Sequence, residues 1–196
     1  FPYVPTEAFV DAAFAWDLNT DELQSYPNLG TFMVDYLPET SGLVFGAQSD
    51  TLPLPEAFGI GPIYNAIRYQ EGINGETRTL FESSEENIGQ LFFAFGGERI
   101  LATLNSMGDQ MTMQSRWVFM DRDGTITGEF DAPEMVRSVA DGADGLVVLH
   151  EEQVPQSFPT TLLSYYDGET LTEFWRYVFP ADQESWSGFF LVWVSS

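Results

Sequence analysis

The sequence predicts a mainly β protein of antiparallel strands, with a closed or nearly closed barrel as the first choice and a β-sandwich as the alternative. Two observations lead to this prediction. Short runs rich in β-branched and aromatic residues recur along the chain, and turn signals separate them at roughly 8–12-residue spacing. The 196 residues contain no repeat of fixed period and no internal linker, which indicates a single domain.

The one helical signal lies at the N-terminus. Thr6 is a suitable N-cap, and apolar residues follow it at helical spacing. These residues are Ala8, Phe9, Ala12, Ala13 and Trp16. We therefore expect a helical arm over residues 1–24 and a β-barrel over residues 25–196.

Twelve strands are expected after this arm, and residues 48–62, rich in Pro and Gly, are expected to form a long loop. In chain order the strands are Thr31–Tyr36, Gly42–Gly46, Ile63–Tyr69, Thr77–Phe81, Ile88–Phe95, Arg99–Asn105, Met111–Asp121, Thr125–Asp131, Gly145–His150, Thr160–Tyr166, Thr170–Phe179 and Trp186–Val194.

Three hairpin turns are expected, at Gly96-Gly97, Asp123-Gly124 and Asp167-Gly168. The first turn places a set of apolar residues on one core face: Leu91, Phe93, Ile100, Ala102 and Leu104. The second places aromatic and aliphatic residues together: Trp117, Phe119, Ile126 and Phe130. The third divides its residues between two faces, with Leu163, Tyr165, Phe174 and Val178 on one and Leu162, Tyr166, Leu171, Glu173, Trp175 and Tyr177 on the other.

The C-terminal strands are apolar on both faces, so each face needs a cover. One cover would be a helix or a second sheet, and the other a barrel lumen or a partner chain. A barrel of the lipocalin or calycin kind, with around eight strands, has room for one small ligand.

Composition excludes several classes of function. Thirty acidic and seven basic residues give a formal charge of −23, which disfavours nucleic acid as a partner. The chain has no Cys and no Lys, and His150 is its one histidine, so we expect no metal site and no cofactor. No apolar stretch is long enough for a membrane span.

Excess acid with Arg in place of Lys is typical of salt-adapted proteins, and an ordinary acidic extracellular protein is the alternative. The cysteine-free chain begins at Phe1, and a secreted or periplasmic location is expected.

The segment Trp117–Thr127 (WVFMDRDGTIT) resembles motif I of the haloacid dehalogenase superfamily. That resemblance implies Asp121 as nucleophile and Asp123 as acid and base. The family's basic residue is usually Lys, which is absent, and few helical periods follow the motif. A hairpin with Asp123-Gly124 at its tip is therefore the favoured interpretation.

The candidate site lies on the C-terminal strands. The residues predicted to bind a ligand are Tyr165, Glu173, Trp175, Arg176 and Tyr177, together with Arg116. Glu173 is the candidate catalytic residue, because a carboxylate in an apolar lumen would have a raised pKa. On a regular strand Glu173 and Arg176 would face opposite ways and would not pair.

Three functions stay open. The first is binding of a small apolar or aromatic molecule in the barrel. The second is a metal-free isomerase, cyclase or dehydratase that uses Glu173 in the same cavity. The third is an interaction subunit that docks, or forms a homo-oligomer, through the C-terminal strand Trp186–Val194.

Overall fold

The computed structural model describes residues 12–17, 20–27, 31, 33–37, 40–55, 63–72, 74–108, 113–133, 136–142, 144–152, 154 and 159–179. Every regular element in these ranges is a strand, and the strands form antiparallel sheets. The prediction of a mainly β, antiparallel protein is therefore confirmed. The expected strand Trp186–Val194 lies outside the described residues.

The described strands form four sheets, one hairpin and three four-stranded meanders, and consecutive strands are neighbours in each. Sheet I contains β1 (Ala12–Asp17) and β2 (Glu22–Pro27). Sheet II contains β3 (Val34–Leu37), β4 (Gly42–Ala47), β5 (Ala66–Glu71) and β6 (Thr77–Glu82). Sheet III contains β7 (Glu86–Ala94), β8 (Arg99–Met107), β9 (Met113–Met120) and β10 (Ile126–Asp131). Sheet IV contains β11 (Ser138–Asp141), β12 (Gly145–Glu152), β13 (Thr160–Asp167) and β14 (Glu173–Val178).

Sheet III lies between sheets II and IV and packs apolar side chains on both faces. Toward sheet II it buries a set of residues against Val44, Tyr64 and Ile67, and that set is Ile88, Leu91, Ile100, Ala102, Leu104, Val118 and Met120. Toward sheet IV it buries Ala94, Leu101, Trp117 and Phe119 against Leu146 and Val148. Strands covered on both faces need no polar alternation. The cover is thus a neighbouring sheet on each side.

No sheet in the described ranges closes on itself, because each four-stranded sheet keeps two edge strands. A barrel therefore finds no support in this part of the chain. The arrangement also differs from a two-layer sandwich, since three four-stranded sheets follow one another.

The predicted N-terminal helix is wrong where the structure describes it. Residues 12–17 form β1, which pairs with β2 from Trp16 opposite Leu23 to Ala12 opposite Pro27. Pairing with a neighbouring strand satisfies the backbone here, so tertiary context overrides a helical spacing of Ala and aromatic residues. The first half of the predicted helix lies outside the described residues.

The Gly96-Gly97 hairpin has the predicted register. Phe93 lies opposite Ile100, and Leu91 lies opposite Ala102, so the predicted core face is confirmed. Gly96 and Gly97 have φ values of 62° and 80°, a conformation that favours glycine. A Cβ at position 97 would also collide with the side chain of Leu37.

The Asp123-Gly124 hairpin is confirmed as the link between β9 and β10. Oδ1 of Asp121 accepts the N–H groups of Asp123 and Thr125, both at 2.9 Å, so this carboxylate organises the turn. Phe130 lies opposite Trp117 and contacts Phe119, as predicted. The placement of Ile126 on that face is wrong, because a β-bulge before Gly128 sets Ile126 opposite Met120.

Two carboxylates connect sheet III to its neighbours at the edge strand β7. Asp35 of β3 accepts the N–H of Phe93 at 2.6 Å. Asp141 of β11 accepts the N–H groups of Phe95 at 2.7 Å and Gly96 at 2.9 Å. Burial, with a smaller contribution from the charge of Asp141, raises the pKa of Asp35 despite its two backbone hydrogen bonds. The first strands of sheets II, III and IV are thereby joined.

Candidate functional site

The candidate residues on the C-terminal strands lie on the β13–β14 hairpin. Its connection is longer than the two residues expected. Oδ1 of Asp167 accepts the N–H groups of Glu169 and Thr170 and the hydroxyl of Thr170. These bonds to Thr170 lower the pKa of Asp167. Leu171 closes the turn with a φ of 48°.

A bulge at the start of β14 changes which residues share a face. Tyr165 lies opposite Trp175, but Tyr166 lies opposite Glu173, so Phe174 is the extra residue. The predicted grouping of Glu173 with Trp175 and Tyr177 is therefore wrong. Glu173 is on the face of Tyr166, and Trp175 and Tyr177 are on the face of Tyr165.

The same bulge corrects the prediction that Glu173 and Arg176 do not pair. Nε and Nη2 of Arg176 donate to the two carboxylate oxygens of Glu173, each at 2.6 Å. Nη1 of Arg176 donates to Glu152 at 3.0 Å. The Arg176 guanidinium lowers the pKa of Glu173, and Glu173 raises that of Arg176. The shift of Glu173 is opposite to the rise expected for a carboxylate in an apolar lumen.

A chain of hydrogen bonds continues from Glu173 into the interior. The buried hydroxyl of Ser164 donates to Glu173 at 3.0 Å and lies 2.9 Å from Nε2 of His150. Since Ser164 has one proton and gives it to Glu173, Nε2 of His150 carries the hydrogen that Ser164 accepts. Burial lowers the pKa of His150 and so favours the neutral ring.

This chain is suited to holding β14 in place. A serine nucleophile needs a base that takes its proton and a path to substrate. Ser164 is fully buried, and its proton points to a carboxylate of lowered pKa. Ser164 and Glu152 were not singled out from the sequence. The one signal for Ser164 was a small polar residue within the apolar run LLSYY.

The opposite face of β14 carries exposed aromatic side chains. Trp175 is 51% exposed and Tyr177 is 46% exposed, and their rings stack at 6.4 Å with an interplanar angle of 18°. Phe174, at the bulge, is 82% exposed and contacts Tyr165 edge-on. These residues form a surface rather than the wall of a cavity.

The exposed aromatic side chains of β14 have no counterpart on the corresponding strands of sheets II and III. β6, β10 and β14 are each the last strand of a four-stranded meander. β6 (TRTLFE) and β10 (ITGEFD) present mainly polar side chains, whereas β14 (EFWRYV) presents aromatic ones. Edge strands usually carry charges that prevent pairing with other chains. An edge strand with exposed aromatic residues is therefore a candidate binding surface.

Arg116 lies apart from this strand, in sheet III. Its guanidinium donates to Glu86 at 2.7 and 2.9 Å and contacts Glu129 at 2.7 Å. The bonds to Glu86 raise its pKa. The structure therefore brings Tyr165, Glu173, Trp175, Arg176 and Tyr177 together on one hairpin, and it leaves Arg116 in a separate ion group.

The described ranges hold no cluster of three or more side chains suited to a metal ion. They also hold no helix long and apolar enough to cross a membrane.

Comparison with known proteins informs the fold. No protein-family model and no curated protein matches the sequence. Among solved structures, the chain is similar to the β-propeller domain of the Trilobed protease from Pyrococcus furiosus, which has an open velcro topology. The TM-score is 0.53 at 14% identity, and the match covers 84% of this chain and 49% of that chain. The chain thus spans about half the length of that structure. A propeller blade is a four-stranded antiparallel sheet, the form that sheets II, III and IV share.

Proposed function

We propose that this protein is a binding module that adds an extended segment of a partner polypeptide to the outer edge of β14. The observation that carries the proposal is the contrast among the three last strands, of which β14 is aromatic and exposed. No other described strand pairs with its outer edge. An edge strand directs alternate N–H and C=O groups away from the sheet, and an extended peptide pairs with them.

The side chains of β14 and the net charge of the chain indicate which kind of peptide segment would bind. Side chains of an added strand alternate between faces, so apolar residues on one face would pack on Trp175 and Tyr177. Glu173 and Arg176 neutralise each other, so the strand itself has little charge. The chain as a whole carries −23 and attracts cations. The segment that fits is extended, with alternating apolar and basic residues.

A peptide titration tests this proposal. The probe is an eight-residue peptide of alternating Val and Lys, blocked at both ends, with tryptophan fluorescence as the readout. We expect saturable binding that Trp175→Ala weakens by about 30-fold, the effect of losing a contact that contributes about 2 kcal/mol. The matched control is Ile126→Ala, an exposed apolar residue on β10, which should change binding less than twofold.

Backbone pairing is tested separately with the same peptide N-methylated at every residue. Methylation removes the N–H donors of both edges while it keeps charge and side chains, so binding should be lost. Equal binding of the methylated peptide, or an equal effect of Ile126→Ala, would exclude strand addition. A molecular mass in solution that doubles as protein concentration rises, and that is lower in Trp175→Ala, would instead identify a second copy of the chain as the occupant.

A small apolar ligand is the second candidate function, and one cleft favours it. The cleft has a volume of about 310 Å³ and lies between β7 and the segment around β3. Its lining is mainly apolar and includes Met33, Val34, Tyr64, Leu91 and Phe92. Ligand pockets are mostly apolar and of about 300–1,000 Å³. An environment-sensitive dye should then bind at ~1:1 stoichiometry. Met33→Trp should fill the cleft and abolish this binding, while Trp175→Ala should not affect it.

A further inference from the structure

A second polar site lies away from β14, on the face of sheet III that packs toward sheet IV. A cavity of about 190 Å³ lies there, next to Pro133 and Val136. Among the residues that the structure describes, the lining has no charged side chain: Gly89, Gln90, Thr103, Asn105, Ser115, Pro133 and Val136.

Three hydrogen-bonding side-chain atoms without a protein partner lie on this face of sheet III. Gln90, Thr103 and Trp117 lie directly opposite one another across β7, β8 and β9, and so form one row on one face. Oε1 of Gln90, Oγ1 of Thr103 and Nε1 of Trp117 are all buried without a hydrogen bond from the protein. Thr103 is 7% exposed and lines the cavity. Burying such groups without a partner is unfavourable, so a row of three needs an explanation.

The lining is held in place by its own hydrogen bonds. Nε2 of Gln90 donates to the carbonyl of Val136 at 2.8 Å, which fixes Oε1 as an acceptor. Ser115 donates to Oδ1 of Asn105 at 2.7 Å, so its oxygen remains an acceptor. Gly89 lies at a bulge, and a Cβ there would collide with Nδ2 of Asn105. The cavity wall is thus a fixed arrangement rather than a gap between mobile side chains.

We infer that this cavity binds a small neutral molecule with several hydroxyl groups. Gln90 and Ser115 offer acceptors, and Thr103 offers both a donor and an acceptor. A ligand hydroxyl both donates and accepts, so one chemical class satisfies all three. The described lining residues provide no counter-ion for an anion or an organic cation, and the volume exceeds that of a single ion. This site is separate from β14 and does not depend on the proposed function.

Binding is tested with erythritol, a neutral four-carbon polyol, and with butan-1-ol as the control of equal carbon number. The readout is the indole N–H signal of Trp117 in a ¹H–¹⁵N spectrum, assigned by its loss in Trp117→Phe. We expect a saturable shift with erythritol and none with butan-1-ol. Thr103→Val removes the hydroxyl at nearly constant shape and should raise the dissociation constant about tenfold.

The variants separate binding from folding. Thr103→Val removes an unpaired buried hydroxyl, so its melting temperature should stay equal to or above that of the wild type. Thr79→Val, on the exposed strand β6, should leave erythritol binding unchanged. A shift that does not saturate, or equal affinity in Thr103→Val, would overturn the inference and leave water as the occupant. An equal response to butan-1-ol would overturn it as well, because the site would then not read hydroxyl groups.

Discussion

Asp141 provides the sharpest test of how the sheets are joined. Its carboxylate accepts the N–H groups of Phe95 and Gly96, at the end of β7 in the neighbouring sheet. Hydrogen bonds to a charged group contribute about 1.5–3 kcal/mol each. Gly96 is exposed, so its N–H regains water when the carboxylate is removed. We therefore count the Phe95 bond alone and expect Asp141→Ala to lower the free energy of unfolding by about 2 kcal/mol.

Urea unfolding measures this loss. With a denaturant slope of about 1–3 kcal/mol/M, the midpoint should fall by roughly 1 M while the slope stays constant. The amide hydrogen of Phe95 should also exchange faster in the variant. The control is Asp131→Ala, an exposed carboxylate on β10 that removes the same charge, and it should cost less than about 0.5 kcal/mol.

Equal midpoints for Asp141→Ala and Asp131→Ala would refute the reasoning. The carboxylate would then contribute no more than a surface charge, and apolar packing alone would hold sheets III and IV together. Loss of stability without faster exchange at Phe95 would also contradict it, because the effect would arise away from the bond.

Three further predictions concern pH, a turn and salt. Burial lowers the pKa of His150, so the folded state binds fewer protons than the unfolded state. The stability that this difference contributes is complete above the ordinary pKa of 6.5 and is lost as pH falls through the lowered pKa. His150→Phe should flatten that part of a melting temperature–pH curve. Asp121→Asn keeps the oxygen that organises the β9–β10 turn, so its unfolding midpoint should stay near wild type, whereas Asp121→Ala should cost about 1–2 kcal/mol by urea titration. With a formal charge of −23, the melting temperature should rise from millimolar to molar NaCl, and a flat or falling curve would contradict salt adaptation.

The local sequence pattern was sufficient to predict the strand register where two neighbouring strands are joined by a short turn. The Gly96-Gly97 hairpin shows this, because turn length and alternation together determine the register of β7 and β8. At β13–β14 the local pattern predicted the wrong faces. There the longer connection and the extra residue Phe174 reversed the faces of Trp175 and Tyr177, since one inserted residue moves every later side chain to the other face.

The sequence by itself determined the strand class, two hairpins, the acidic character of the chain and the hairpin on which most candidate residues lie. It did not decide what covers each strand. β8 and β14 are both rich in apolar residues, yet β8 is largely buried between sheets and β14 is an exposed edge. Burial depends on residues far away in the chain, so the tertiary structure alone decided that Trp175 and Tyr177 form a surface. It also decided that Glu173 pairs with Arg176, because that contact requires a bulge that the strand pattern does not indicate.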